Sequence, residues 1–176
     1  VWAVHAAAHV YEMQGHVDDG VAFMTTRVGD WGSGNLFTVH NWWHLGLFHL
    51  ETASHDKVLD IYDRAIHHPG SDGVPMEMLD ASAMLWRLRL DGVDVGDRFD
   101  VLADAWANAI DGTASWYVFN DVHAVMAFLG AGRRDDAVAV IDRLSAYVDQ
   151  TSALATASNV GMTVEVGLPA ARALLA

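Results

Sequence analysis

The sequence contains no cysteine and a single lysine, Lys57. Without cysteine there is no disulfide, no thiolate nucleophile and no Cys-type zinc site. Basic residues are scarce altogether: 10 Lys and Arg stand against 23 acidic residues, a formal charge of −13. A nucleic-acid backbone is gripped by basic side chains that displace its counterions, so nucleic acid is not an expected partner. Anionic lipid is disfavoured for the same reason. A basic partner or a cation suits this charge better. The most apolar stretch, Leu36 to Leu50, is interrupted by Thr38, His40, Asn41, His44 and His49, so no membrane span is expected. No signal peptide is visible, and a cytoplasmic location is the expectation. Also missing are a P-loop, a dinucleotide G-x-G-x-x-G, a serine nucleophile elbow and the H-E-x-x-H zinc-hydrolase motif.

What the sequence does hold is helical periodicity. Its 176 residues are 52% hydrophobic, enough for one domain with a sizeable core. Apolar residues recur at helical spacing over about Val1–Gln14, Val17–Arg27, Leu36–Thr52, Asp56–His67, Met76–Leu90, Arg98–Ile110, Ser115–Leu129 and Arg133–Val148. The Gly-rich stretch Val28–Asn35 reads as loop, and Pro69, Gly70, Gly73 and Pro75 mark a connection. A last segment from about Ala157 carries Gly161, Gly167 and Pro169, which predict a kinked or broken helix. The ends carry no capping signals, which is the pattern of a piece of a longer solenoid.

These helices fall into pairs that follow the tetratricopeptide pattern, W-x2-L-G-x2-Y and then A-x3-F and Pro. The clearest pair has Trp42, Leu45, Gly46 and His49, then Val58, Tyr62 and Pro69. The first has Val4, Ala7, Ala8 and Tyr11, then Gly20 and Met24; a later one has Asp121, Ala124, Val125 and Phe128, then Ala137 and Ile141. Small residues such as Ala8 and Gly46 let a partner helix approach, while Trp42 and Tyr62 fill the space beside it. One pair cannot bury its apolar stripe alone, so pairs stack. The expected fold is all-α: antiparallel helix pairs stacked as a tetratricopeptide-like right-handed solenoid, in one domain over 1–176. Its repeats lie at about 1–27, 36–69, 76–110 and 115–149, with another starting near 157.

Nine of the ten histidines precede residue 69. His5 and His9 are four apart on the first helix, and His40 and His44 are four apart on the third. An i, i+4 pair shares one helix face, the way helical metal sites present two imidazoles. Two such pairs on the leading helices of neighbouring repeats would converge on one divalent transition metal or one polar ligand, with Glu12 and Glu51 as possible carboxylates. Against this stands packing: His49 occupies the tyrosine position of the repeat, and His55, His67 and His68 read as solvated helix-end or loop residues. Trp42 reads as core, and Trp43 then points elsewhere, toward the inner groove. Trp31 either folds over that groove or anchors a surface loop. Asp121 and His123 are an acid/base candidate, or else a capping or ion-paired acid beside a half-buried histidine. Asp80 and Glu165 are isolated acids on apolar segments, costly if buried alone.

Several segments resemble the tetratricopeptide repeat protein 38 family: Trp2-Ala3-Val4-His5-Ala6-Ala7-Ala8-His9-Val10, Glu12-Met13-Gln14-Gly15, His40-Asn41-Trp42-Trp43-His44-Leu45, Phe48-His49-Leu50-Glu51, Asp121-Val122-His123-Ala124 and Gly167-Leu168-Pro169. The resemblance runs along essentially the whole chain, and His-Asn-Trp-Trp-His is its most specific block. It implies a longer parent protein, an all-helical repeat fold, and motif positions at His5, His9, His40, Asn41, Trp43, His44, Asp121 and His123. It implies no particular chemistry. Three functions follow as expectations. One is a binding protein whose groove, lined by His5, His9, His40, Asn41, Trp43 and His44, holds a small molecule or peptide. Another is an enzyme, with or without metal assistance, using the four histidines with Asp121 or His123. The last is an interaction module in which the histidines only pack. Grooves that clamp acidic peptide tails need more Lys and Arg than this chain has.

Overall fold

The computed structural model describes residues 1–34, 37–110, 117–151 and 158–176. Every regular element among them is helical, with no strand. The chain divides into two compact units, Val1–Val95 and Gly96–Ala176. No helix among the described residues is long and apolar enough to cross a membrane.

The first unit holds α1 (Trp2–Gln14), α2 (Val17–Thr26), α3 (Val28–Trp31), α4 (Thr38–Glu51), α5 (His55–Ile61) and α6 (Pro75–Leu90). Gly15 ends α1 in the left-handed conformation at φ 69°, where its N–H caps the Glu12 carbonyl. That conformation costs glycine little and most residues more. Helix α1 packs on α2 and α4, α2 on α4, and α4 on α5 and α6. Glycines set the closest approaches. A Cβ on Gly20 would come 2.5 Å from the buried Phe48 ring, and one on Gly46 would come 2.6 Å from Met84 Cε of α6. Gly46 thus admits the Met84 side chain of α6.

Five expectations need correction in this unit. Val28–Asn35 is not all loop: Val28–Trp31 makes one helical turn, and Asn35 lies outside the described residues. The tryptophan explains it. Trp31 is fully buried and its indole N–H donates to the Met24 carbonyl at 3.0 Å, so it anchors the turn and is not a lid. Trp42 is half-buried rather than core, lying edge-on to Trp31 at 4.7 Å. The helix after Ser54 is α only to Ile61. Tyr62–Ile66 widens into a π turn, in which the His67 N–H reaches the Tyr62 carbonyl. That turn carries His67 inward: it is 4% exposed, with Nδ1 2.6 Å from Glu77 Oε1, and is not solvated. His55 is half-buried against Asp91 at 3.1 Å, while His68 is exposed as expected.

The second unit holds α7 (Arg98–Ile110), α8 (Val118–Gly130), α9 (Arg134–Thr151), α10 (Ser158–Met162) and α11 (Leu168–Leu175). Helix α8 packs against α7, α9 and α11, and α9 against α11. The interruption expected near Gly161, Gly167 and Pro169 is a π turn over Thr163–Gly167. Gly167 lies hard against Val118, and Pro169 opens α11 where a missing N–H costs nothing. The helix starts expected at Leu36, Ser115 and Ala157 fall outside the described residues.

Candidate metal centre

The face of α1 that meets α4 carries His5, His9 and Glu12, spaced i, i+4 and i+7. The facing side of α4 carries His40 and His44. The two helices bring the four imidazoles together, so that one ring nitrogen from each lies within 4.8 Å of the others. Ring centroids are 4.5 Å apart for His5 and His9, 5.0 Å for His5 and His40, 4.4 Å for His9 and His44, and 4.8 Å for His40 and His44. His5 Nε2 and His9 Nε2 are 3.1 Å apart. Both predicted pairs therefore converge in one cluster.

Carboxylates fix the orientation of the two α4 rings. His40 Nδ1 lies 2.9 Å from Asp80 Oδ2, and His44 Nδ1 lies 3.1 Å from Glu12 Oε2. A carboxylate only accepts, so each Nδ1 carries the proton and donates it. In the tautomer this hydrogen bond selects, the ring lone pair sits on Nε2. At His44, which is 1% exposed, Nε2 is buried without a hydrogen-bond partner. Asp80 comes from α6 and is itself 7% exposed, so the acid that looked isolated in sequence is paired across 40 residues. Glu12 orients His44, a different part from the ligand role the sequence suggested. Glu51 stands outside the four-imidazole cluster. It lines a cleft of about 290 Å³ with Glu12, Leu47, Phe48 and Arg87 among others.

Burial and mutual repulsion favour the neutral form of two of these imidazoles, His44 and His5. His44 is pushed down to about 3, first by burial and then by the neighbouring charges of His40, His9 and His5. His5 is lowered too, by burial and then by His40 and His9. Neutral imidazole is the form that ligates a metal. Trp43 stacks on His40 at 5.3 Å with the planes 9° apart, and the Arg87 guanidinium sits 5.6 Å over its ring. Trp43 thus walls the cluster. Asn41 does not line an open wall. It is fully buried, and neither end of its amide has a hydrogen-bond partner.

Asp121 and His123 belong to the second unit. Asp121 Oδ1 accepts from Arg143 Nη2 at 3.0 Å, and His123 Nδ1 donates to the Phe119 carbonyl at 2.8 Å. The packing reading fits His49, which is buried and whose pKa is lowered by burial and then by Lys57. Glu165 is exposed and carries no burial cost.

No family model matches the chain, and no solved structure matches it.

Proposed function

We propose that this chain is a tetratricopeptide-like helical repeat, related to the tetratricopeptide repeat protein 38 family, whose inner groove binds a divalent transition metal through His5, His9, His40 and His44. The observation that carries this reading is the convergence of four ring nitrogens, one of them a buried Nε2 without a partner. Metal–nitrogen bonds of about 2.0–2.1 Å set the nitrogens of a tetrahedral site roughly 3.4 Å apart. The 3.1 Å between His5 and His9 is already close to that. Small side-chain rotations of these two less buried residues bring in the rest. The outer carboxylates Glu12 and Asp80 supply the second half of a metal site, ring orientation and added basicity. They also balance the +2 charge. The solenoid reading draws support from the way the leading helices α1, α4 and α6 adjoin in order and together carry the cluster. A binding role is favoured over catalysis because four imidazoles complete a tetrahedral shell. A small molecule or peptide would occupy the adjoining cleft beside Glu12, Glu51 and Arg87.

Protein purified without chelator is expected to carry about one transition-metal ion per chain by elemental mass spectrometry. Cobalt(II) added to stripped protein should give the visible bands of tetrahedral nitrogen ligation, saturating at one equivalent. Absence of both results removes the metal and leaves a polar ligand pocket. Asp80→Asn, which keeps the size of the side chain, is expected to weaken zinc binding about 10- to 100-fold in a competition titration. An unchanged affinity would show that Asp80 does not orient His40.

A further inference from the structure

Three charged side chains, from three helices of the first unit, line the cleft beside the imidazole cluster: Glu12 of α1, Glu51 of α4 and Arg87 of α6. Opposite charges share this cleft, yet Arg87 forms no ion pair with either acid. Its Nη1 donates to the Ala83 carbonyl of its own helix at 3.1 Å, and its guanidinium lies 5.6 Å over the Trp43 ring. Glu12 Oε2 accepts from His44 Nδ1 at 3.1 Å, but burial keeps that imidazole neutral, so the carboxylate charge is not balanced. Glu51 has no hydrogen-bond or ion-pair partner among the described residues. The other side chains lining the cleft are apolar, chiefly Leu47, Phe48 and Leu50. Small-molecule pockets run from about 300 to 1,000 Å³. This cleft, at about 290 Å³, suits an occupant at the small end of that range.

We infer that the cleft binds a free α-amino acid with an aliphatic side chain. Its carboxylate takes the Nε and Nη2 donors of Arg87, and its ammonium bridges Glu51 and the remaining oxygen of Glu12. Its side chain lies on Leu47, Phe48 and Leu50. A lone amine would leave Arg87 unmatched, and a lone carboxylate would leave both acids unmatched. A zwitterion answers both signs at once. The inference rests on the small-molecule part of the reading above, names its ligand class, and stands without the metal.

The test is isothermal titration calorimetry of the full chain with L-leucine, once in chelator and once in saturating zinc. Leucine is expected to bind saturably at one site. Isoamylamine lacks the carboxylate and isocaproate lacks the ammonium, so each should bind at least about 10-fold more weakly. Glu51→Gln and Arg87→Gln should each weaken leucine binding about 10-fold. Both residues are exposed, and far-UV circular dichroism checks that the variants fold. Arg87→Gln should also erase the preference for leucine over isoamylamine, which a general loss of structure would not do. No leucine binding in either condition, or one-charge analogues binding as tightly as leucine, overturns the inference. Tighter binding of leucylglycine overturns it too, in favour of a peptide end. Zinc bound without leucine leaves the metal centre standing. Leucine bound without zinc removes the metal centre and leaves the amino-acid site.

Discussion

His44→Ala is expected to weaken zinc binding by at least about 100-fold, more than any outer-shell change in the same groove. His44 is the best-prepared of the four ligands. It is 1% exposed, its Nδ1 is held by Glu12, and its Nε2 has no other partner. His5 and His9 sit on the exposed helix and can be replaced in part by water. His44 cannot, because its Nε2 is closed off from solvent. Competition with a chromophoric chelator measures the loss, and far-UV circular dichroism checks that the helices persist. His55→Ala is the control: His55 pairs with Asp91 and is no part of the cluster, so its affinity should match that of the parent chain. If His44→Ala binds zinc as tightly as the parent, the four-histidine site is wrong whatever the other variants do.

Much of this was legible in the sequence, and the residues show where legibility stopped. The helices were readable because apolar spacing and glycine breaks are local signals. Gly46 was readable as a close approach, but not its neighbour: the expected partner was the paired helix, and Met84 of α6 stands there instead. The imidazole pairs were readable because i, i+4 spacing fixes a shared face whatever the tertiary structure. Their convergence needed α1 to lie beside α4, which only tertiary packing supplies. The pairing of Asp80 with His40 was not readable, because it joins residues 40 apart on helices whose rotation depends on packing. His67 was misread for a related reason. Its neighbours Pro69 and Gly70 look like a loop, but the π turn before it aims the ring at Glu77. Trp31 looked like a loop residue and is one of the largest fully buried side chains, since a single tryptophan in a Gly-rich stretch carries no periodicity.

The metal-free protein is expected to lose stability steeply as pH falls from about 6.5 toward 3. In the folded chain His44 protonates only near 3, against an ordinary 6.5. Between those values the unfolded chain binds a proton that the folded chain refuses. Stability therefore rises with pH across this window, and is fully present above it. Each unit of such a shift is worth about 1.4 kcal/mol, which puts a ceiling of roughly 5 kcal/mol on the contribution of His44. That is comparable with the whole stability of a marginal domain. The groups facing His44 act in both directions. His5 and His9 from α1 and His40 on α4 repel a proton there, while the Glu12 carboxylate at 3.1 Å attracts one. His5 and His49, both lowered by burial, add losses of the same sign. Urea titrations in chelator at pH 7.5, 6, 5 and 4 measure the slope, and His44→Gln should flatten it between pH 6 and 4. A parent chain equally stable at pH 7.5 and 4, or a variant with an undiminished slope, would show that burial of a neutral imidazole is not what makes the groove acid-labile. Zinc supplied during the same titration should shift the loss to lower pH, because each bound imidazole must give up its ligand bond before it can take a proton.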